Sequence, residues 1–316
     1  MGLGTWQLGA DWGEVSEADA RAVLEASAEA GVTFYDTADV YGDGRSEQIV
    51  GRFVADHADA GFTVATKMGR RLDQVPSNYV ESNFRAWLDR SRRNLGVDTI
   101  DLVQLHCPPS EVIDADETYD VLDQLVSEGI ISAYGVSVET CDQALSAIAR
   151  PNLASVQIIL NAFRMKPLDA VLPAAVAAGV GIIARVPLAS GLLSGKYKLD
   201  TIFAEDDHRN YNRDGSAFDV GETFSGVDYE TGVAAAQEFS ALVESSGLSD
   251  ATPAQVALAW VVQQPGVTTV IPGARNVSQA SSNAAAGELG PLSPKLREGI
   301  RSLYDSRIRA QVHGRW

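Results

Sequence analysis

Short apolar runs alternate with longer amphipathic segments along most of this chain. The longer segments repeat apolar residues every three or four positions, as one face of a helix requires. In 79–95 these residues are Val80, Phe84, Trp87, Leu88 and Leu95. The short runs are rich in β-branched residues, and 180–186 is almost continuously apolar, which is typical of a strand buried on both faces. The pattern therefore predicts strands that alternate with helices.

A glycine often separates a predicted helix from the strand after it. Gly31 stands between the Ala- and Glu-rich segment 17–30 and an apolar run, and the same order recurs in 127–137 and 177–186. Glycine suits this position because it ends helices in the left-handed conformation. The opening residues 1–9 are predicted to form a short strand that runs into a loop. The other predicted strands are 32–35, 62–66, 100–105, 133–137, 155–160, 180–186 and 268–271. The predicted helices are 17–30, 46–53, 79–95, 117–127, 141–149, 168–178, 229–245, 253–263, 277–286 and 294–309.

This order of elements predicts an α/β protein: a single (β/α)8 TIM barrel over residues 1–316, with additional C-terminal helices. Such barrels usually have about 250 residues. A doubly wound sheet is the alternative, but no Gly-x-Gly-x-x-Gly follows an early strand. Residues 197–228 are polar and show no periodicity, and so long a loop in a compact domain is usually functional or disordered.

Composition narrows the possible partners. The 316 residues include 42 acidic and 25 basic ones, and the net charge of −17 argues against nucleic acids and anionic membranes. No apolar run approaches the roughly 20 residues of a membrane span, and no basic-then-apolar leader opens the chain. A cytoplasmic protein, monomeric or weakly homo-oligomeric, is therefore expected. The two cysteines, Cys107 and Cys141, form neither a disulfide framework nor a zinc site by spacing, so no metal is expected.

Polar residues follow three successive predicted strands. Asp36 ends the second strand, with Tyr41 just beyond it, Lys67 ends the third and His106 the fourth. In a barrel the carboxyl ends of the strands meet at one face, where chemistry is done. Each residue alone also fits an ordinary loop position: a turn aspartate, a half-buried tyrosine, a solvated lysine or a hydrogen-bonded histidine. Together they indicate a site.

These four side chains suit carbonyl reduction. A phenol has an unperturbed pKa near 10 and is a poor proton donor at neutral pH. An adjacent ammonium such as that of Lys67 is expected to lower the pKa of Tyr41, while Asp36 holds the ammonium in place. A neutral imidazole at His106 can orient a carbonyl oxygen. The hydride must come from a cofactor, because no side chain supplies one.

The sequence resembles the aldo-keto reductase superfamily over nearly its whole length. The matching motifs are GLGTW (2–6), YDTADVYG (35–42), ATKMG (65–69), DLVQLH (101–106), VQ-x3-N (156–161), PLASGLLSGKY (187–197) and IPGARNVSQASSN (271–283). The resemblance implies a barrel enzyme that uses NADPH, with Asp36, Tyr41, Lys67 and His106 as the catalytic tetrad.

The resemblance also implies a set of cofactor-binding residues. They are Thr5, Trp6, Asp36, Ser137, Gln157, Arg185, Pro187, Leu188, Ser190, Gly191, Leu193, Lys196, Gly273, Arg275, Gln279 and Asn283. Ser137 and Gln157 match positions that hold the nicotinamide carboxamide. Arg185 stands where the family usually stacks an aromatic ring, and a planar guanidinium can also stack.

The remaining matches concern the phosphates and the adenosine. Segment 187–196 resembles the pyrophosphate loop, in which Gly191 allows close backbone approach and Lys196 supplies charge. Arg275, expected to open a helix, matches a position that contacts the 2′-phosphate, so NADPH is expected to be preferred over NADH. Gln279 and Asn283, one helical turn apart, match adenine contacts, although a polar helix face would show the same pattern.

Three departures from the family pattern bear on cofactor geometry and stability. Val138 follows Ser137 where the family often has Asn, and Leu160 stands where Tyr commonly precedes Asn161. The residues before the first strand also lack the N-terminal hairpin that usually plugs the barrel bottom.

The resemblance leaves two functions open. The first is reduction of a small carbonyl substrate, an aldehyde, ketone or aldose, in a pocket lined by Trp6, Tyr41 and His106. The alternative is an NADPH-binding regulatory subunit of the same fold with little turnover, which fold and binding motifs alone do not exclude.

Overall fold

Eight parallel strands lie in the sheet in the order in which they occur in the chain. The computed structural model describes residues 1–9 and 15–316. The strands are β1 (Leu3–Gly4), β2 (Phe34–Asp36), β3 (Thr63–Met68), β4 (Ile100–His106), β5 (Ile131–Ser137), β6 (Ser155–Ile159), β7 (Gly181–Arg185) and β8 (Val267–Val270). This sequential order differs from a doubly wound sheet, in which the order reverses at a switch point.

The first and last strands meet and close the barrel. The amide of Gly2 donates to the carbonyl of Val270 (2.8 Å), and the amide of Gly4 donates to that of Pro272 (3.1 Å). Gly4 also forms a parallel bridge with Gly273. A closed ring of eight strands in chain order confirms the predicted (β/α)8 barrel.

Helices follow the strands around the outside. They are α1 (Glu17–Glu29), α2 (Arg45–Asp56), α3 (Glu81–Leu95), α4 (Ser110–Asp114), α5 (Asp116–Ser127), α6 (Cys141–Ile148), α7 (Val171–Ala178), α8 (His208–Tyr211), α9 (Tyr229–Glu244), α10 (Pro253–Val262), α11 (Val277–Ala285), α12 (Pro294–Leu303) and α13 (Arg309–Val312). Within the described ranges, none of these helices is long and apolar enough to span a membrane.

Local sequence explains where the helices begin and end. Ser16 caps α1 by accepting from the amide of Asp19 (3.1 Å), and Gly31 follows the helix with φ 84°. The predicted helix 79–95 begins only at Glu81, because Val80 is extended (φ −122°, ψ 156°). The predicted C-terminal helix 294–309 is interrupted by a π-helical turn, Tyr304–Ile308.

Side chains inside the barrel form two layers of opposite character. The lower layer is apolar and contains Ala65, Leu102, Ile183 and Ile271. Successive residues of a strand point to opposite faces, so residues two positions further on point inward at the next level. After Ala65 and Leu102 these are Lys67 and Gln104, both buried. The apolar layer therefore supports a polar layer at the carboxyl ends of the strands.

Residues 197–228, which we call the strap, have little regular structure but are fixed at several points. The indole N–H of the C-terminal residue Trp316 donates to Asp219 of the strap (3.0 Å). The guanidinium of Arg164 lies 4.0 Å from the Trp316 ring centroid. These contacts favour a functional loop over a disordered one for this segment.

Candidate active site

The four tetrad residues come together at the mouth of the barrel. Asp36 ends β2, Lys67 lies next to last in β3 and His106 ends β4. Tyr41 follows β2 in a turn, and its ring lies edge-on to the His106 ring, with centroids 6.0 Å apart. The strand ends thus place an acid, an ammonium, an imidazole and a phenol in one pocket, as the sequence pattern indicates.

Lys67 links the carboxylate to the phenol. Its side chain is only 1% exposed, and its Nζ donates to Asp36, to the carbonyl of Thr37 (2.8 Å) and to the Tyr41 hydroxyl (3.4 Å). Burial opposes the charged form, but Asp36 and Tyr41 outweigh it and raise the pKa of Lys67. Lys67 is therefore a cation at the centre of the site.

Tyr41 lies on the wall of the pocket beside Trp6. The two rings are stacked, with centroids 6.0 Å apart and planes 23° apart. Burial raises the pKa of the Tyr41 phenol above its ordinary value, although Lys67 acts in the opposite direction. The expectation that Lys67 gives this phenol a lowered pKa is wrong for the protein alone, because desolvation of the phenolate exceeds the attraction of one ammonium that is already paired with Asp36.

His106 is held in place by hydrogen bonds to its backbone carbonyl. Its carbonyl accepts from Arg70 Nε (3.3 Å) and Gln74 Nε2 (2.9 Å). Burial, followed by the charges of Arg70, Lys67 and Arg185, lowers the pKa of His106 well below its usual value. The imidazole is therefore neutral, as expected from the sequence. Among the described residues, its buried Nδ1 has no hydrogen-bond partner.

The second oxygen of the Asp36 carboxylate faces two amides. Its Oδ2 accepts from Gln104 Nε2 (3.1 Å) and from Gln157 Nε2 (2.8 Å). Gln157 was predicted as a cofactor contact; Gln104 was not predicted. A signal for it was present, because Gln104 stands two residues before His106 in DLVQLH and so shares its inward direction.

A cavity of about 190 Å³ opens above the tetrad. It is lined by Trp6, Val40, Tyr41, Arg70, His106, Phe218 and Glu222. Trp6, Tyr41 and His106 were predicted for the substrate pocket, whereas Arg70, Phe218 and Glu222 were not. Phe218 and Glu222 belong to the strap, whose sequence shows no periodic pattern that could have indicated them.

Arg185 lies in a buried group of charges at the same mouth. Its Nη2 donates to Glu139 (2.8 Å) and to the carbonyl of Val138 (3.1 Å), and its Nη1 lies 3.4 Å from Glu222. Cys107, Glu139 and Glu222 could by position hold a metal ion, but Arg185 contacts all three and repels a cation. Burial raises the pKa of the Cys107 thiol to about 12, so the thiolate ligand is disfavoured as well.

The predicted pyrophosphate loop (187–196) and the residue before it have an unusual backbone. Val186, Ala189 and Ser190 all have positive φ (52°, 48° and 55°), which is uncommon for residues other than glycine. The Ser190 hydroxyl donates to the carbonyl of Glu222 (3.0 Å) and accepts from the amide of Phe224 (3.0 Å). The strap is thus tied to this loop. Pro187, Leu188 and Leu193 lie in the same segment, and Lys196 at its end is exposed.

At Gly191 this segment approaches another side chain closely. Its φ is 94°, and a Cβ atom there would lie 2.3 Å from the Tyr197 hydroxyl. Only glycine fits this position, because of its positive φ and the Tyr197 ring beside it. The predicted close approach of this backbone to a pyrophosphate stays a prediction.

The predicted adenosine residues lie around the start of α11. Arg275 precedes the helix instead of opening it, because Asn276 is the N-cap and the helix begins at Val277. The amide of Arg275 donates to Gln279 Oε1 (2.8 Å), and Asn283 Nδ2 donates to the carbonyl of Gly273 (3.1 Å). Gln279 and Asn283 therefore also order the segment that carries Arg275.

Thr5 and Ser137 occupy structural positions next to the tetrad. The Thr5 hydroxyl donates to the carbonyl of Asp36 (2.9 Å), which joins β1 to the end of β2. Ser137 pairs with His106 across β4 and β5. The next residue, Val138, is fully buried, as is Leu160. At these two of the three departures from the family pattern, an apolar side chain therefore belongs to the core.

Comparison with known proteins agrees with this arrangement. The sequence model of the Aldo/keto reductase family matches residues 1–305. An uncharacterized oxidoreductase of Mycobacterium tuberculosis is 32% identical over 308 residues, which cover 95% of this chain and 87% of that protein. The structure of a glycerol dehydrogenase from Gluconobacter oxydans is 30% identical in sequence and superposes with a TM-score of 0.78. The alignment covers 99% of this chain and 92% of that chain.

A further solved structure shows the same fold at lower identity. It is an aldo-keto reductase from Klebsiella pneumoniae in complex with NADPH, with 24% identity, a TM-score of 0.70 and coverage of 97% and 93%. The family match spans nearly the whole chain, and the barrel carries the tetrad residues at its mouth. The chain belongs to the aldo/keto reductase family and is an NAD(P)H-dependent oxidoreductase.

Proposed function

We propose that this protein reduces the carbonyl group of an aldehyde, ketone or aldose to an alcohol, reversibly, with NADPH as the preferred cofactor and Tyr41 as the proton donor. The observation that carries the proposal is the bonding of Lys67 to both Asp36 and Tyr41, opposite a neutral His106. Charge that develops on a carbonyl oxygen here would meet a proton donor, a cation and an imidazole.

Each tetrad residue has one task in this proposal. His106 orients the carbonyl oxygen, and Tyr41 gives it a proton. The phenolate that remains on Tyr41 is stabilised by Lys67 at 3.4 Å. Asp36 keeps Lys67 charged and in place. In the oxidation direction the same phenolate accepts the proton of the alcohol.

The residues present fit a nicotinamide cofactor, which supplies the hydride when bound. Among the described residues, the buried Nε of Arg185 has no hydrogen-bond partner. Gly191 (φ 94°) gives the predicted pyrophosphate loop a left-handed turn that other residues rarely adopt. Ser137 and Gln157 would hold the carboxamide, and Arg185 would lie against the nicotinamide. Lys196 and Arg275 would supply cationic charge to the phosphates in a protein whose net charge is −17.

A separate set of residues would bind the adenosine part of the cofactor. Gly273, Gln279 and Asn283 belong to the segment around the start of α11, and we assign them to the adenosine. Pro187, Leu188, Ser190 and Leu193 would form the pyrophosphate loop, and Thr5 and Trp6 the wall beside the nicotinamide.

The pocket lining supports a small polar substrate. Trp6, Tyr41 and Phe218 offer aromatic faces, while Arg70 and Glu222 offer a donor and an acceptor of hydrogen bonds. The Gluconobacter relative is a glycerol dehydrogenase. Short hydroxy-aldehydes and hydroxy-ketones are therefore the first substrates to test.

The test is steady-state oxidation of NADPH against a panel of short aldehydes, hydroxy-ketones and aldoses. Turnover with at least one of them, abolished without substrate, is the expected result. Tight NADPH binding with turnover near zero on the whole panel would reject the reductase and favour the regulatory subunit.

A further inference from the structure

Gln104 is a polar side chain inside the barrel to which sequence resemblance assigns no role. It lies in β4, directly opposite Lys67 of β3, and is fully buried. Its other neighbour in the sheet is Gly135, which has no side chain. A buried amide at this level is costly unless it is hydrogen-bonded, so its partners indicate what it does.

The partners of Gln104 form a closed triangle. Its Nε2 donates to Asp36 Oδ2 (3.1 Å), and its Oε1 accepts from Gln157 Nε2 (3.2 Å). Gln157 closes the triangle by donating to the same Asp36 oxygen (2.8 Å). The other Asp36 oxygen bonds to Lys67. Gln104 therefore touches both the acid that holds the catalytic lysine and the amide assigned to the nicotinamide.

We propose that Gln104 is a positioning residue that sets the orientation of Asp36 and Gln157 together, and so couples the proton-donating pair to the nicotinamide site. The inference rests on the proposed reductase function. The hydrogen bonds of Gln104 go to Asp36 and Gln157, and Gln104 is not among the residues that line the pocket, so it acts through those two residues.

Loss of the Gln104 side chain should change the pKa of Tyr41 in one direction. The groups around the Tyr41 phenol are Lys67 of β3, Asp36 of β2, His106 of β4, and Arg70 and Glu222 at the pocket wall. Burial is the largest cause of the raised pKa of Tyr41; among these groups Lys67 lowers that pKa, whereas Asp36 and Glu222 raise it. The N–H group of Gln104 offsets part of the Asp36 charge, so its removal should raise that pKa further.

Gln104→Met tests the proposal, because methionine has a similar shape and keeps neither hydrogen bond. We expect kcat to fall about tenfold, as the loss of a charge-assisted hydrogen bond predicts. For alcohol oxidation, the pH at which kcat/KM levels off should move upward. In an Asp36→Asn background, the same substitution should change kcat less than about threefold, because the two residues act through one interaction.

Gln263→Met is the matched control. Gln263 is the C-cap residue of α10, and its side chain is partly buried. Its Nε2 donates to the carbonyl of Leu289 (3.2 Å), and its Oε1 accepts from the amide of Leu292 (3.0 Å) and from Arg297 (2.8 Å). Its loss should lower the unfolding midpoint and leave the pH profile unchanged. A wild-type kcat and pH profile in Gln104→Met, with the midpoint lowered as in the control, would show a structural role only and overturn the proposal.

Gln104→Glu keeps the inference testable where the methionine variant does not fold. A protonated glutamic acid can donate to Asp36 as glutamine does, whereas its carboxylate repels Asp36. The variant should approach wild-type kcat at acidic pH and lose activity as pH rises; a wild-type profile would contradict the proposal. Failure of the proposed reductase function can be told apart from failure of this inference. In the first case the wild-type protein itself would reduce no substrate. Gln104→Met would still be expected to weaken NADPH binding.

Discussion

The carboxylate of Glu222 lies 3.4 Å from the guanidinium of Arg185, so the strap reaches the residue that ends β7. Glu222 also lies 3.5 Å from Arg70, on the loop after β3. Through Ser190, the same part of the strap is bonded to the predicted pyrophosphate loop. Glu222 is thus one of the points that hold the strap over the mouth of the barrel, together with Ser190 and the bond between Asp219 and Trp316.

Glu222→Gln should loosen the strap without unfolding the barrel. Arg185 keeps its bonds to Glu139 and Val138, so its charge stays paired. Loss of roughly 1–2 kcal/mol of local stability would increase strap opening about 5- to 30-fold. Limited trypsin digestion should then cleave the strap faster by a similar factor. Glu230→Gln, an exposed site on α9, is the control; equal digestion rates for both variants would show that Glu222 does not hold the strap.

Tyr41→Phe should abolish most turnover and leave cofactor binding nearly intact. The substitution removes the proposed proton donor but keeps the ring that stacks on Trp6. We expect kcat to fall roughly 10²- to 10⁴-fold, the usual contribution of a positioned acid. Stopped-flow or steady-state kinetics with NADPH measures kcat, and fluorescence titration measures NADPH affinity. Wild-type turnover would mean that another group donates the proton.

Sequence alone predicts the barrel and the meeting of the tetrad for one physical reason. In a parallel barrel all strands end at the same face, so Asp36, Lys67 and His106 had to converge once their strands were recognised. Glu222 could not be predicted in this way, because its position depends on tertiary ion pairs. The raised pKa of Tyr41 could not be predicted from the sequence either, since it depends on how deeply folding buries the phenol.

Asp39 should make the protein less stable as the pH rises from about 4 to about 7. It is fully buried, and among the described residues neither carboxylate oxygen has a hydrogen-bond partner. Burial first, and then Glu47, raise its pKa to about 7, against the opposing charges of Arg71 and Arg90. The unfolded chain has a pKa near 3.9. The stabilisation is therefore complete below about pH 4, decreases progressively between about pH 4 and 7, and is lost above about pH 7, an upper limit of about 4 kcal/mol.

Urea unfolding at pH 5 and pH 8 checks this expectation. Asp39→Asn removes the charge, so the variant should lose less stability between the two pH values than the wild type. Asp59→Asn changes the same charge at an exposed position. If Asp39→Asn and Asp59→Asn show the same pH dependence, Asp39 is not the group responsible.

Arg275→Ala should weaken NADPH binding much more than NADH binding. The 2′-phosphate is a dianion near neutral pH, and the net charge of −17 repels it. A guanidinium just before α11 can bind it bidentately, with help from the N-terminal end of the helix. Charge-assisted bonds of about 1.5–3 kcal/mol imply roughly ten- to hundredfold discrimination. KM should therefore rise by that factor for NADPH alone, with a weaker salt dependence of NADPH binding.

Lys295→Ala, which removes an exposed cation on α12, is the control for net charge. Equal KM shifts for the two cofactors would mean that Arg275 serves the fold, for example by pairing with Glu288, and that NADPH preference has another origin.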